Sequence, residues 1–307
     1  MAVTQRVRVV AGKVCYVLAD YITGGTLPMR KLTLAAAVFA AHCAATVNAS
    51  PYSDFYVFGD SLFDTGNFSD GLRFTNRVGP DYQNSPYGPV SPSLAAQALG
   101  VSAPAPSVEG GNNYAVGGNQ SQQTLESITA ATTYDSPLVG KAYNSFFYDL
   151  ERSGRALDRR AVYLLDGGGN DIPAFVPATE VATNMVTAAR ALRERGANYV
   201  VVTNVPDFGL SPAGIIVQDY ATAQSASISE QIREQIGSDN ILIFDAFNLI
   251  REVVANPASY GIAVSPEEVS YASFDPGDCG TCTAGNPDAK IDGSDPDPDQ
   301  FFFNDTR

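Results

Sequence analysis

The sequence predicts an α/β fold in which a parallel sheet is covered by helices on both faces. Two patterns carry that expectation. Four short, continuous apolar runs rich in β-branched and aromatic residues each stop at a Gly, Asp or Pro, as strands buried on both sides do. Segments with helical periodicity fall between the later runs, and alternating strand and helix implies parallel pairing through right-handed crossovers. No Ser/Gly/Pro linker separates these patterns, so residues 50–307 are expected to form one domain.

The first strand is Asp54-Phe55-Tyr56-Val57-Phe58, closed by Gly59. The second is Ala161-Val162-Tyr163-Leu164-Leu165, closed by Asp166-Gly167. Tyr199-Val200-Val201-Val202-Thr203 leads to Pro206, and Ile241-Leu242-Ile243-Phe244 to Asp245. Val181, Met185, Ala189 and Leu192 line one face of a helix that Gly196 ends, glycine being the usual residue just past a helix C-terminus. Ile228, Ile232 and Ile236 recur at spacing four before Gly237, and Phe247, Ile250 and Val254 continue after the fourth strand. Residues 68–110, rich in Gly, Pro, Ser and Asn, read as a long excursion over the strand ends. Residues 272–300 hold seven aspartates among glycines and prolines, at spacings that do not match an EF-hand, and read as a solvated acidic loop.

Composition narrows the partners. The 307 residues are 45% hydrophobic with a formal net charge of −14, which argues against a nucleic-acid partner. Residues 29–49 have the form of a signal peptide: Met29-Arg30-Lys31 is a basic start, Leu32 to Thr46 an alanine-rich apolar run, and Val47-Asn48-Ala49 a small-residue cleavage site. Residues 1–28 then read as an extension upstream of the true start. The expected location is secreted, periplasmic or cell-surface. Cys279 and Cys282, in Cys-Gly-Thr-Cys, read as a small-loop disulfide in that oxidising setting. A zinc site would lack two ligands there, and no metal is expected.

Three segments carry chemistry, and all fall at the C-terminal ends of predicted strands, where α/β sheets gather their active sites. Gly59-Asp60-Ser61-Leu62-Phe63-Asp64-Thr65-Gly66-Asn67 sets a serine on a turn directly after a strand. A helix starting there would aim free N–H groups at an oxyanion; the plainer reading makes Ser61 a helix N-cap with Asp64 as its capping-box partner. Gly111-Asn112-Asn113-Tyr114-Ala115-Val116-Gly117-Gly118-Asn119 contains paired glycines that let backbone approach a ligand. Asp166-Gly167-Gly168-Gly169-Asn170-Asp171 offers an asparagine amide to the same space without adding charge. Tyr143, Phe146, Phe147 and Tyr148 read either as an apolar groove or as ordinary core.

In this order the three segments resemble the GDSL (SGNH) hydrolase family of serine esterases and lipases. The resemblance implies a three-layer α/β/α sandwich with a mainly parallel, flavodoxin-like five-stranded sheet. It also implies Ser61 as nucleophile, an oxyanion hole made by the Ser61 and Gly118 amides and the Asn170 side chain, and no cofactor. Gly117 is a neighbouring candidate, since the register of the glycine pair is open by one. The substrate would be a small-molecule or lipid ester. The family's fourth block is Asp-x-x-His. Asp305 falls on its aspartate, and the histidine would be the residue after Arg307; the one histidine present is His42, inside the leader. The chain therefore reads as truncated before its general base. Its extent is similar to the esterase passengers of bacterial autotransporters, which continue into a membrane β-barrel; no barrel strands are visible here. A catalytically dead binding or passenger module of the same fold, and an acyltransferase, stand as the alternatives.

Overall fold

Strand β1, Phe55–Phe58, has all four residues buried and sits inside the sheet, so each of its faces must be covered. In the computed structural model, which describes residues 50–68, 90–138, 140–211 and 214–262, β1 pairs in parallel with β4 (Val162–Leu165). β4 pairs in parallel with β5 (Tyr199–Thr203), and β5 with β6 (Leu242–Phe244). Each of the four expected strands forms within one residue of its predicted limits.

The fifth position is filled without a regular strand. Residues 112–116 run along the free edge of β1 and exchange three backbone hydrogen bonds with it: Val57 N to Asn112 O at 3.0 Å, Tyr114 N to Val57 O at 2.7 Å, and Val116 N to Gly59 O at 3.0 Å. The parallel order is thus this segment, β1, β4, β5, β6, the doubly wound arrangement in which the chain reverses direction across the sheet beside β1. A separate antiparallel hairpin, β2 (Thr133–Ser136) with β3 (Lys141–Asn144), has no counterpart among the expected strands. Its strands, Thr-Tyr-Asp-Ser and Lys-Ala-Tyr-Asn, are short and mostly polar, with no alternating apolar pattern to stand out.

Alternation along the strands divides the core. Tyr56, Phe58, Tyr163, Leu165, Val200 and Val202 join one cluster with residues of α2 (Ser121–Thr129), α3 (Phe146–Ser153), α4 (Ala178–Glu194) and α5 (Gln218–Ile236). Phe55, Val57 and Val162 join another, with Ala96 of α1 (Ser91–Ala98), Phe63 and Ala115. Two apolar faces on one sheet are what produce three layers. The α4 face is as expected: Val181, Met185, Ala189 and Leu192 have no exposed surface. The Ile228, Ile232 and Ile236 stripe of α5 is likewise buried.

Three expectations shift. The predicted excursion over 68–110 contains α1, which starts at Ser91-Pro92, proline being well suited to a first helical turn. On α6 (Ala246–Ala255) the buried residues are Ala246 and Val253, one position off the predicted stripe. Among the described residues the fourth strand is the last in the sheet, and Leu242 and Phe244 are 62% and 50% exposed rather than covered on both faces. The leader over 1–49, the cysteine pair, the acidic stretch over 272–300 and Asp305 lie outside the described residues.

The aromatic group around α3 is core, not groove. Phe146 is 1% exposed and packs tilted against Tyr56 and Tyr163 and edge-on against Phe58 and Tyr114, with ring centroids 5.0 to 5.9 Å apart. Tyr143 is buried as well, its hydroxyl donating to Asn67 O at 2.8 Å. Phe146→Ala is accordingly expected to lower unfolding stability by about 3–5 kcal/mol, read by urea denaturation. A loss under about 1 kcal/mol would return Phe146 to the groove reading.

Candidate active site

The nucleophile segment is a single helical turn and not a helix. Phe63 N and Asp64 N both donate to Asp60 O, at 3.2 and 3.1 Å. Asp60 Oδ1 accepts from Leu62 N at 3.0 Å, so Asp60, not Ser61, holds the capping position. Asp64 then ends the turn by accepting from Gly66 N at 2.7 Å and Asn67 N at 2.6 Å through Oδ1. The expected helix start is therefore replaced by two successive aspartate-closed turns, because each aspartate offers nearby N–H groups a local acceptor that competes with helical bonding.

Asp64 does a second job. Its Oδ2 accepts from Gly117 N at 2.9 Å, fastening the glycine pair to the nucleophile turn. That bond occupies the Gly117 amide. Gly118 has φ +82°, and a Cβ there would lie 2.5 Å from Leu138 Cβ, so only glycine fits. Around this junction Asn67 Nδ2 donates to Asn113 O and Ala115 O, at 2.7 and 2.8 Å. Asn113 Nδ2 donates to Phe63 O at 2.7 Å. Both asparagines stand inside the motif segments, but their role in lacing the first two segments together is visible only in the fold.

The third segment meets the other two because β1 and β4 end level, Phe58 opposite Leu165. Close approach is enforced at Gly59, where a Cβ would stand 3.0 Å from Asp166 Cβ. Asn170 Nδ2 lies 2.8 Å from Asn119 O and 3.3 Å from Asp60 Oδ2. It thus bridges the residue after Gly118 and the residue before Ser61. Asp171 accepts from both Ser121 N (2.9 Å) and Ser121 Oγ (2.7 Å), anchoring the segment to the first turn of α2, where a negative charge is favoured. Ser61, next to Asp60 in the turn, is 9% exposed.

Four aspartates surround the turn, all nearly without exposure: Asp60, Asp64, Asp166 and Asp171. Burial pushes Asp60 up to about 6, against the Leu62 N–H that holds it down. Burial does the same to Asp64, also to about 6, opposed by hydrogen bonds from Gly66, Gly117, Asn67 and Phe68. Asp171 is raised by burial with Ser121 opposing. Asp166 is raised well above the usual carboxylate range, by burial and then by the Asp60 charge. The sequence singles out only Asp64 among the four, and as a cap. The signal for Asp60 and Asp166 is that each follows the end of a buried strand, which becomes informative only once those strands are neighbours.

Of the sequence-derived site residues, Ser61, Gly118 and Asn170 are brought to one place. Asp305, Cys279 and Cys282 lie outside the described residues. No described residue is a histidine, and among the described residues no cluster of His, Cys, Asp and Glu is arranged to hold a metal ion.

Comparison with known proteins gives the family. The sequence model described as GDSL-like Lipase/Acylhydrolase matches residues 55–246, a span that includes all three segments. The chain is 35% identical over 296 residues to Esterase EstA of Pseudomonas aeruginosa, covering 84% of this chain and 44% of that protein. It is 33% identical over 308 residues to an uncharacterised protein of the trpE-trpG intergenic region of Pseudomonas putida, covering 91% of this chain and 49% of that one. The chain thus spans about half the length of these curated relatives. A solved member of the lipolytic G-D-S-L family from Veillonella parvula aligns with 69% of this chain and 85% of its own, at 16% identity and a TM-score of 0.39. The chain belongs to the GDSL lipase/acylhydrolase family.

Proposed function

We propose that this protein is an exported serine ester hydrolase of the carboxylesterase or lipase type that cleaves acyl esters through an acyl-enzyme on Ser61. The observation that carries the reading is the Asn170 amide, hydrogen-bonded to Asn119 O and to Asp60. One donor ties together the three segments that an acyl-transfer site needs. Ser61 Oγ attacks the acyl carbonyl carbon, and the carbonyl oxygen becomes an oxyanion. The Ser61 N–H, the Gly118 N–H and one hydrogen of Asn170 Nδ2 receive that charge. The other Nδ2 hydrogen stays on Asn119 O, and the one that turns to the oxyanion leaves Asp60 Oδ2, 3.3 Å away.

The serine proton needs a general base, which then protonates the leaving alkoxide; water repeats the cycle to release the acid. We assign the base to a histidine following Arg307, oriented by Asp305. Residues 29–49 would direct export, and an exported protein whose N-terminus is far from Ser50 would contradict that part.

Kinetics on the full-length protein test the assignment. Ser61→Ala is expected to lower kcat by at least about 10³-fold. Asn170→Ala should lower it by about 10²–10³-fold with KM little changed, as loss of one oxyanion donor does. Hydrolysis by the 307-residue chain should fall far below that of the full-length protein. Equal rates in the two would sink the assignment of the base.

A further inference from the structure

The β2–β3 hairpin supplies none of the proposed oxyanion donors, yet it is fastened to two of the three segments that do. Tyr134 and Tyr143 face each other across it, with ring centroids 5.9 Å apart, and bury together against Val116. Tyr143 Oη donates to Asn67 O at 2.8 Å, on the nucleophile segment. Tyr134 Oη donates to Tyr114 O at 3.4 Å, on the glycine segment. Gly140 N donates to Ser136 O at 2.9 Å and closes the hairpin tip. The tip is therefore set by the same two segments that carry Ser61 and Gly118.

Leu138 stands at that tip. A Cβ on Gly118 would lie 2.5 Å from Leu138 Cβ and 2.6 Å from its Cδ2, so the leucine side chain rests directly on the Gly118 α-carbon. Gly118 is half-buried between two buried neighbours, Gly117 and Asn119. Leu138 touches it on one side and is still 57% exposed, which leaves an apolar surface open beside the proposed donor. A single exposed leucine is ordinary, but the other two donor segments carry exposed apolar side chains as well. Leu62 directly follows Ser61. Phe175, 74% exposed, belongs to the turn after Asn170 that Val176 N closes on Asp171 O at 3.1 Å. Its φ of +58° is unique among the described non-glycine residues and unfavourable for a bulky side chain, and its ring packs on Tyr220 with centroids 5.5 Å apart.

We propose that Leu138 is a specificity-determining residue: the hairpin tip holds its side chain over Gly118 to receive the first methylenes of an apolar acyl chain, which makes alkyl-chain esters the substrates in preference to acetyl esters. The Gly118 amide takes the carbonyl oxygen, so a chain attached to the carbonyl carbon starts within reach of the leucine. The alkoxide oxygen must meet the base that protonates it, and the apolar side of the carbonyl is left to the acyl chain. The inference rests on Ser61 and Gly118 having the roles proposed above.

Hydrolysis of p-nitrophenyl acetate, butyrate and octanoate by the full-length protein reads the preference. Each acyl methylene withdrawn from water raises kcat/KM by up to about fourfold, so octanoate should lead acetate by at least about tenfold. Leu138→Ser should cut that octanoate-to-acetate ratio about tenfold, and Leu138→Met, similar in volume and apolarity, should keep it. With the acyl group held as octanoate, the ratio between the methyl and p-nitrophenyl esters should be the same in the wild type and Leu138→Ser. An octanoate-to-acetate ratio unaltered in Leu138→Ser, even if both rates fall, or a change that follows the alcohol instead, would overturn the assignment. Binding needs no turnover. By calorimetry octanoate should bind Ser61→Ala more tightly than the variant carrying both Ser61→Ala and Leu138→Ser, and equal affinities would overturn the assignment too. Hydrolysis retained in Ser61→Ala thus bears on the nucleophile, while octanoate affinity decides Leu138.

Discussion

The level pairing of β1 with β4 is the constraint on which the site depends. Phe58 opposite Leu165 brings the two strand ends flush, so the turn carrying Ser61 and the segment carrying Asn170 leave the sheet at the same height. A slip of one residue would reverse which strand side chains enter each apolar face, unmaking both clusters at once. The packing that stabilises the fold therefore also sets the geometry of the site. Gly59 is where the two demands meet, since no side chain fits between it and Asp166.

From that junction the site is assembled by carboxylates and asparagines more than by regular structure. Asp64 spans from the nucleophile turn to Gly117, Asn67 and Asn113 cross-link the same two segments, and Asp171 reaches the start of α2. A buried carboxylate costs free energy unless its oxygens are satisfied, and backbone N–H groups on short loops satisfy them here. Each loop is thereby held by a group that would be unfavourable elsewhere. This is a form of preorganisation: the donors proposed to meet an oxyanion are already directed before any substrate arrives.

Much of the fold was legible because its strands are continuous apolar runs with clear stops. A run such as Tyr199-Val200-Val201-Val202-Thr203 carries no helical stripe, and β5 forms over those same residues. The segment over 112–116 was not legible as a strand, since Asn112 and Asn113 are poor strand formers and its pairing is supplied by β1. The exposure of β6 was hidden because an edge strand and a central one can share the same apolar composition. Within the site, the residue types of Ser61, Gly118 and Asn170 could be read from local motifs. The close approach of Gly59 to Asp166 could not, because it exists only between the ends of two strands far apart in the sequence.

The most direct measurement is to react the full-length protein with a fluorophosphonate and locate the adduct by peptide mass spectrometry. A single adduct on the peptide containing Ser61, absent from Ser61→Ala, is the expected result. An adduct confined to another residue, or none with the full-length protein, would contradict the assignment of Ser61 as the nucleophile.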